Sequence, residues 1–330
     1  MEIFRIMKHR IFTIAFFSVL LLFAGCSSKG NQSKSAAADG DLSGDIQLSG
    51  AFALYPMAVK WASEFQKIHP HVRIDISAGG AGKGMTDALA KVVDLGMVSR
   101  EVYPVELEKG AYPIAVTKDA VVPVVNINNP AIDDIKAIGL TREKALKLWV
   151  DGGYTTWGSL LGTSSKVPLN VYTRSDACGA AETWAAWFGK KQEDLGGTAV
   201  YADPGVSGAV QKDKAAVGYC NVAYAYDQKT KKPFKGITPL PLDVDGNGAI
   251  DENEYFYDDV EQLMAAIGEG RYPSPPARDL YLVSNGKPTD PIVVEFIRFI
   301  LEEGQQWTAE TGYIALPQST IERELSRLNN

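Results

Sequence analysis

The 330-residue chain carries 33 basic and 40 acidic residues, a net charge of −7, with only three histidines and three cysteines. An acidic balance without basic runs argues against nucleic acid as a partner. No Cys/His cluster with metal-ligand spacing and no Ser-His-Asp arrangement stands out, so the sequence gives little support for an enzyme.

Arg5, Lys8 and Arg10 open the chain, and an almost wholly apolar run follows from Ile11 to Ala24. That is the pattern of an export signal over residues 1–25, too short for a permanent membrane span. Phe23-Ala24-Gly25-Cys26 places small residues before a cysteine and resembles the bacterial lipobox, which implies cleavage before Cys26 and lipid attachment to it. An ordinary signal peptide or a short membrane anchor is the alternative. The expected location is the cell envelope, on its periplasmic or extracellular face. Residues 26–43 are small and polar and read as a flexible tether. Losing residues 1–25 removes one acid and three bases, which takes the net charge from −7 to −9. Any anion must therefore be held by local dipoles and a few arginines, against a repulsive overall field.

From Asp45 the chain alternates strand-like and helix-like segments, the pattern of an α/β fold. "DIQLSGAFALYP" reads as a strand ending in a small-residue loop. "MAVKWASEFQKIH" follows as a helix, with Met57, Trp61 and Phe65 four apart. "HVRIDISAG" alternates as a strand, "GGAGKG" turns into the helix "MTDALAKVV", and "DLGMVS" is a short strand. The glycines of "GGAGKG" lack the Walker spacing, so a flexible turn is the better reading than a nucleotide loop. "AVVPVVNI" (120–127) looks like a buried crossover strand into a second lobe. "TREKALKLWV" is helical, "VPLNVYTR" a strand, "AAETWAAWFGKK" a helix and "AAVGYCNVAYAY" (215–226) a further strand. Near the end "RDLYLVSN" is a strand and "PIVVEFIRFILEEGQQWTAETG" one long helix.

"TRSDACGAA" (173–181) brings Arg174 and Asp176 to the start of a helix. Two readings fit that pattern. One is an N-cap Asp with a solvent-facing Arg; the other is an anion site built on unpaired helix N–H groups. With Cys26 assigned to lipid, Cys178 and Cys220 remain as the one pair available for a disulfide in an exported protein.

Several separated segments resemble the phosphate-binding proteins of bacterial phosphate ABC importers. "SGAFALYPMAVKWASEFQK" and "SAGGAGKGMTDAL" look like that family's first two loop-helix units, and "VDLGMVSRE" like its Asp-hydrophobic-Gly-x-x-Ser-Arg segment. "TRSDACGAAETW" sits where the family has Arg-x-Asp-Gly-Ser-Gly-Thr, and "AAVGYCNVAYA" matches its Gly-Tyr strand. The matches run in order from Ser49 to Pro317. The resemblance implies a periplasmic-binding-protein fold: two α/β lobes of mixed sheet and flanking helices, joined by hinge crossovers, with an oxyanion held in the cleft between them. The lobes would be 44–122 with 279–330, and 123–278. The partners implied are an inorganic oxyanion, phosphate or similar, and an ABC permease in the membrane, with the binding protein a monomer.

Carried over by position, Phe52 and Ala53 would offer backbone N–H groups from the first loop, and Ala81 and Gly82 from the second. Ser99 would add a hydroxyl. Arg174 would supply charge, oriented by Asp176, while Cys178, Gly179 and Ala180 would close the cradle. A Cys178–Cys220 bridge would lie in the second lobe near the cleft. The chain departs from the family where Ser or Thr is usual: Ala51, Phe52, Ala53 and Ala81 lack hydroxyls, and Ser-Gly-Thr is here Cys178-Gly179-Ala180.

"DVDGNGAIDENE" (243–254) is a motif outside that resemblance. It matches the twelve-residue EF-hand loop at every ligand position. Asp243, Asp245 and Asn247 stand at positions one, three and five, Gly248 at six, Ala249 at seven, Asp251 at nine and Glu254 at twelve. The expected occupant is a structural Ca²⁺; the alternative is an acidic surface turn. "EYFYDDVEQLMAAI" reads as the outgoing helix, whereas Pro239 and Pro241 exclude a normal incoming one. A calcium loop and the missing hydroxyls also keep a second function open: a surface sensor or adhesion-like module on the same fold.

Overall fold

The computed structural model describes residues 42–329. The expected signal, Cys26 and the tether up to residue 41 lie outside them.

Strand β1 (Ser43–Gly50) turns Ile46 and Leu48 inward and leads to helix α1 (Tyr55–Ile68). Met57, Trp61 and Phe65 are fully buried on one face of α1, as their spacing requires. Strand β2 (His71–Ala78), helix α2 (Ala81–Leu89), strand β3 (Leu95–Val98) and helix α3 (Pro104–Glu108) follow. Strand β4 then runs for 16 residues, Ala111–Asn126. The next stretch holds α4 (Ile132–Ile138), α5 (Arg142–Trp149), α6 (Trp157–Leu161), β5 (Asn170–Arg174) and α7 (Gly179–Trp187). After it come β6 (Thr198–Val200), α8 (Asp203–Lys212), β7 (Ala216–Asn221), β8 (Ile237–Pro239) and α9 (Val260–Gly268). Strand β9 (Ala277–Asn285), α10 (Pro291–Glu302) and α11 (Gln318–Asn329) close the chain.

The strands form one mixed sheet in the order β2-β1-β3-β9-β4-β7-β5-β6, with β8 also on β4. The β1/β2, β1/β3, β5/β6 and β5/β7 pairs are parallel; every pair involving β4 or β9 is antiparallel. Helices pack on the sheet and divide the apolar interior into two clusters. One gathers Trp61, Phe65, Met97 and Phe296; the other gathers Trp149, Trp184, Tyr219 and Tyr272.

Strands β4 and β9 are the segments that pass through both. Ile114 and Val116 of β4 belong to the first cluster and Val121 to Val125 to the second, while β9 gives Leu280 to the first and Ala277 to the second. Their pairing shifts register between Ala115 and Thr117, just before the passage. There Arg278 forms a buried pair with Asp119, Nε donating to Oδ1 at 2.8 Å. Its other N–H groups reach the Gly179 carbonyl, Thr183 Oγ1 and Asn221 Oδ1. One guanidinium thus ties both crossover strands to the start of α7.

Four segments differ from the sequence expectation. The crossover strand is longer than 120–127, because residues 111–119 extend the ladder with β9. The strand expected over 215–226 ends at Asn221, and Val222–Tyr224 turns as a 3₁₀ helix. The last long helix stops at Glu302. Gly304 presses against Trp61 and its carbonyl accepts the Trp61 indole N–H at 2.9 Å, so short 3₁₀ turns carry the chain onward. The helix expected directly after Glu254 starts only at Val260, capped by the Asp259 carboxylate on Gln262 N. Phe256 and Tyr257 are meanwhile drawn into the core.

Candidate functional site

Three chain reversals meet at one small cavity. The β1–α1 loop brings Phe52 and Ala53, the start of α2 brings Gly80 and Ala81, and the β5–α7 turn brings Arg174, Cys178, Gly179 and Ala180. Ser99, Asp203 and Asn221 complete the wall, and these groups close in until the gap between them is narrower than a water molecule. A drug-sized ligand, which needs roughly 300–1,000 Å³, has no room here.

Close backbone approach makes the cavity this small. A side chain at Gly179 would lie 2.1 Å from the Ser99 carbonyl, and one at Gly80, where φ is +90°, would lie 2.7 Å from the Ala177 carbonyl. Only glycine permits either approach. The start of α2, built on the first apolar cluster, therefore touches the turn that opens α7 on the second. Tyrosines fix the first loop: Tyr313 donates to the Ala53 carbonyl at 2.6 Å and Tyr224 to the Phe52 carbonyl at 3.1 Å. The Phe52 ring stands 5.8 Å from the Arg174 guanidinium carbon and edge-on to Tyr201 at 6.0 Å.

Among the described residues, Arg174 is the only basic side chain in the cavity wall. Its side chain is fully buried and held from two sides. Nε donates to Asp176 Oδ1 at 2.9 Å and one terminal nitrogen to Asp176 Oδ2 at 2.6 Å; the other donates to Asp203 Oδ2 at 2.6 Å. These bonds use three of the five guanidinium N–H groups. Asp203 Oδ1 accepts from Asn221 N at 2.9 Å, and Asp176 Oδ1 also accepts from Ala202 N at 3.1 Å. Burial works against the Arg174 charge, but the Asp203 and Asp176 carboxylates outweigh it and raise the pKa, so the group is a permanent cation. Burial likewise works against ionised Asp176, yet the Arg174 hydrogen bonds and charge hold its carboxyl below the usual carboxylate range.

Taken together, Arg174, Asp176 and Asp203 sum to one negative charge. Positive potential at the cavity must come from backbone amides in the loop before α1 and in the first turns of α2 and α7, where the leading amides have no intrahelical acceptors. The solvent-facing arginine of the simple N-cap reading is excluded, and so is Asp176 as the cap. Cys178 caps α7 instead, its Sγ accepting from Ala181 N at 3.4 Å.

Most residues expected at the site are brought together: Phe52, Ala53, Ala81, Ser99, Arg174, Cys178, Gly179 and Ala180 line the cavity. Gly82 and Asp176 do not. Gly82 faces Ala177, and Asp176 stands behind the arginine it orients. The Cys178 amide was expected to face the anion, but it donates to Gln192 Oε1 at 3.0 Å, and Gln192 Nε2 returns a bond to the Asp176 carbonyl at 2.7 Å. The Cys178–Cys220 bridge is not formed: both thiols are free and buried, with Cys178 occupied as the helix cap. Burial pushes the Cys178 thiol up to about 12, which leaves it protonated at neutral pH. Asp203, Asn221 and Gln192 were missed. Only the acid and proline opening "DPGVSG" hinted at Asp203, as a helix start.

Away from the cavity, the loop 243–254 brings Asp243, Asp245 and Glu254 together, with ligand oxygens within 4.8 Å of one another. Asn247 Oδ1 is taken by Ala249 N at 2.9 Å and Asp251 Oδ1 by Asn253 N at 2.8 Å.

Residues 35–303 match the PBP superfamily domain. The chain belongs to the PBP superfamily. Within it, the chain is a divergent PstS-like member, similar along nearly its whole length to curated relatives. It is 27% identical to the phosphate-binding protein PstS of Pseudomonas aeruginosa over 314 residues, covering 87% of this chain and 88% of that one. It is 25% identical to PstS of Methanocaldococcus jannaschii over 363 residues, covering 94% and 92%. Among solved structures, a Clostridium perfringens substrate-binding protein with bound phosphate superposes with a TM-score of 0.67 at 23% identity, covering 83% of this chain and 100% of the other. An ABC-type phosphate transport receptor from Vibrio cholerae gives 0.59 at 20% identity, covering 82% and 100%. At those identities the structures attest the PBP fold.

Proposed function

We propose that this PBP-superfamily chain is an extracytoplasmic solute-binding protein that takes an inorganic oxyanion, phosphate first, and presents it to an ABC permease. The observation that carries the reading is the convergence of three helix-opening turns on the buried, doubly anchored Arg174. Its PstS relatives are named for phosphate binding. Oriented amides, with no water between them and the ion, compensate the charge far better than they would in bulk solvent. Asp203 in the wall adds selectivity. An anion that carries a proton can donate it to a carboxylate, whereas sulfate at neutral pH cannot, so phosphate and arsenate should bind more tightly than sulfate.

The protonated, cap-forming Cys178 is not disposed to act as a nucleophile, which favours binding over catalysis. Export and anchoring would follow from the 1–25 signal and lipidation at Cys26. Titration calorimetry against phosphate, arsenate, sulfate and molybdate tests the proposal. Phosphate binding at micromolar concentration or tighter is expected. Absence of binding to all four would sink the transport reading and leave the sensor or adhesion-like alternative.

A further inference from the structure

We propose that the loop 243–254 is a calcium site that staples the second apolar cluster. The deciding feature is Glu254, only 6% exposed. Its Oε1 accepts from Val244 N at 2.6 Å and from Asp245 N at 3.2 Å, which fixes the carboxylate. Its Oε2 is buried and has no hydrogen-bond partner. A buried acceptor without a partner is costly, and more so when it is charged. The Glu254 carboxylate belongs to an acidic cluster: one oxygen each of Asp243, Asp245 and Glu254 lie within 4.8 Å of one another. Two oxygens bound to one calcium at 2.3–2.6 Å can be separated by at most about 4.6–5.2 Å. Three carboxylates at this spacing repel one another until a cation sits between them.

The backbone already has the required turn. Asp243 is 1% exposed, and its two oxygens accept from Gly246 N at 2.7 Å and Gly248 N at 2.9 Å. Gly248, at the sixth position of the loop, has φ +89°, the conformation that this sharp turn reserves for glycine. The free lone pairs of Asp243, Asp245 and Glu254 form the core of an all-oxygen site. Glu254 at the twelfth position can close it with both oxygens, a flexible arrangement that suits Ca²⁺ better than the octahedral, water-retaining Mg²⁺.

The loop is tied into the fold on both sides. Asp243 N donates to the Leu140 carbonyl at 3.2 Å, Ile250 N to the Ala137 carbonyl at 2.8 Å, and Leu242 N to the buried Tyr257 hydroxyl oxygen at 3.1 Å. An ion at this point would lock α4 to the segment that leads into α9.

The test is calorimetric and thermal titration of the chelator-stripped protein with CaCl₂ and, separately, MgCl₂. Calcium is expected to bind with a dissociation constant on the order of 10⁻⁴–10⁻³ M and to raise the melting temperature by a few degrees at about 10 mM. Magnesium should bind at least roughly tenfold more weakly. Glu254→Gln should weaken calcium at least about tenfold by removing the charge that closes the site. Should that variant fail to fold, Asp245→Asn, at an exposed position, serves alone with the same expectation. The proposal is overturned if wild type shows no calcium binding up to about 10 mM, if magnesium matches calcium, or if Asp245→Asn binds calcium as well as wild type. None of these outcomes depends on whether the cleft binds an oxyanion.

Discussion

The cavity and the 243–254 loop are both built from acidic side chains and backbone N–H groups, yet the ions proposed for them have opposite sign. In the cleft, the Asp176 and Asp203 carboxylates are occupied by Arg174 and by the amides of Ala202 and Asn221. Their charge is largely neutralised, and first-turn amides remain to face an anion. In the loop, among the described residues, the one arginine in reach, Arg271, bonds the Asn253 carbonyl and pairs with Glu269 rather than with the loop carboxylates. Backbone amides bind the carboxylates, and Glu254 Oε2 is left buried without a hydrogen-bond partner. Charge count alone does not set ion preference; what matters is which groups are already paired.

The most disruptive way to break this contrast is Arg174→Ala. It strands Asp176 and Asp203 as buried carboxylates without their cation, so the fold should lose about 3–5 kcal/mol as well as oxyanion binding. Denaturant unfolding and phosphate titration together measure both losses. A variant with wild-type stability would show that the two acids are adequately compensated by amides alone.

Asp176→Asn keeps the shape but removes one charged partner, and should cost about 1.5–3 kcal/mol of stability while weakening phosphate less than Arg174→Ala does. The same pair predicts a pH dependence. Because the folded-state pKa of Asp176 is lowered, its contribution is fully present above the ordinary aspartate range and is lost as pH falls through the folded value. Wild type should therefore lose stability below about pH 4, and Asp176→Asn should lose less over that interval. Melting curves at successive pH values would reveal parallel profiles if the pairing were immaterial.

Cys178→Ser is a smaller change. Serine is the better N-cap, so the variant should gain up to about 1 kcal/mol, and its hydroxyl can accept from Ala181 N while donating toward the cavity. Phosphate affinity should rise, by less than about tenfold. Lower affinity in calorimetry would mean that the missing hydroxyl is no deficit at this site. The smallest effect expected is on the cleft when the loop is altered. Glu254 lies outside the cavity wall, so Glu254→Gln should change phosphate affinity by less than about twofold. A larger change would couple the two regions.

The fold was legible because its signals are local and repeated. The Met57, Trp61 and Phe65 spacing, the alternation in β1 and the loop-helix junctions at Gly80 and Cys178 each specify an element from a few neighbouring residues. Likewise, Phe52, Ala53, Ala81, Ser99 and Arg174 could be named in advance because each sits at such a junction or in a motif. Asp203, Asn221 and Gln192 could not, since each acts on a partner far along the chain with no motif of its own.

By itself the sequence determined the alternation of the main strands and helices, the glycines that let backbones approach and the acid spacing of the 243–254 loop, because period, turn chemistry and ligand spacing are properties of short segments. Tertiary structure decided the rest: that Arg174 is buried between two carboxylates, that the Cys178 amide turns to Gln192, that Cys178 and Cys220 stay apart as thiols, and that Glu254 Oε2 is buried without a partner. Each of these depends on which distant group arrives at hydrogen-bond range once the two apolar clusters have packed. A buried charge or donor is satisfied by whatever packing brings within about 3 Å, and that choice is made in three dimensions.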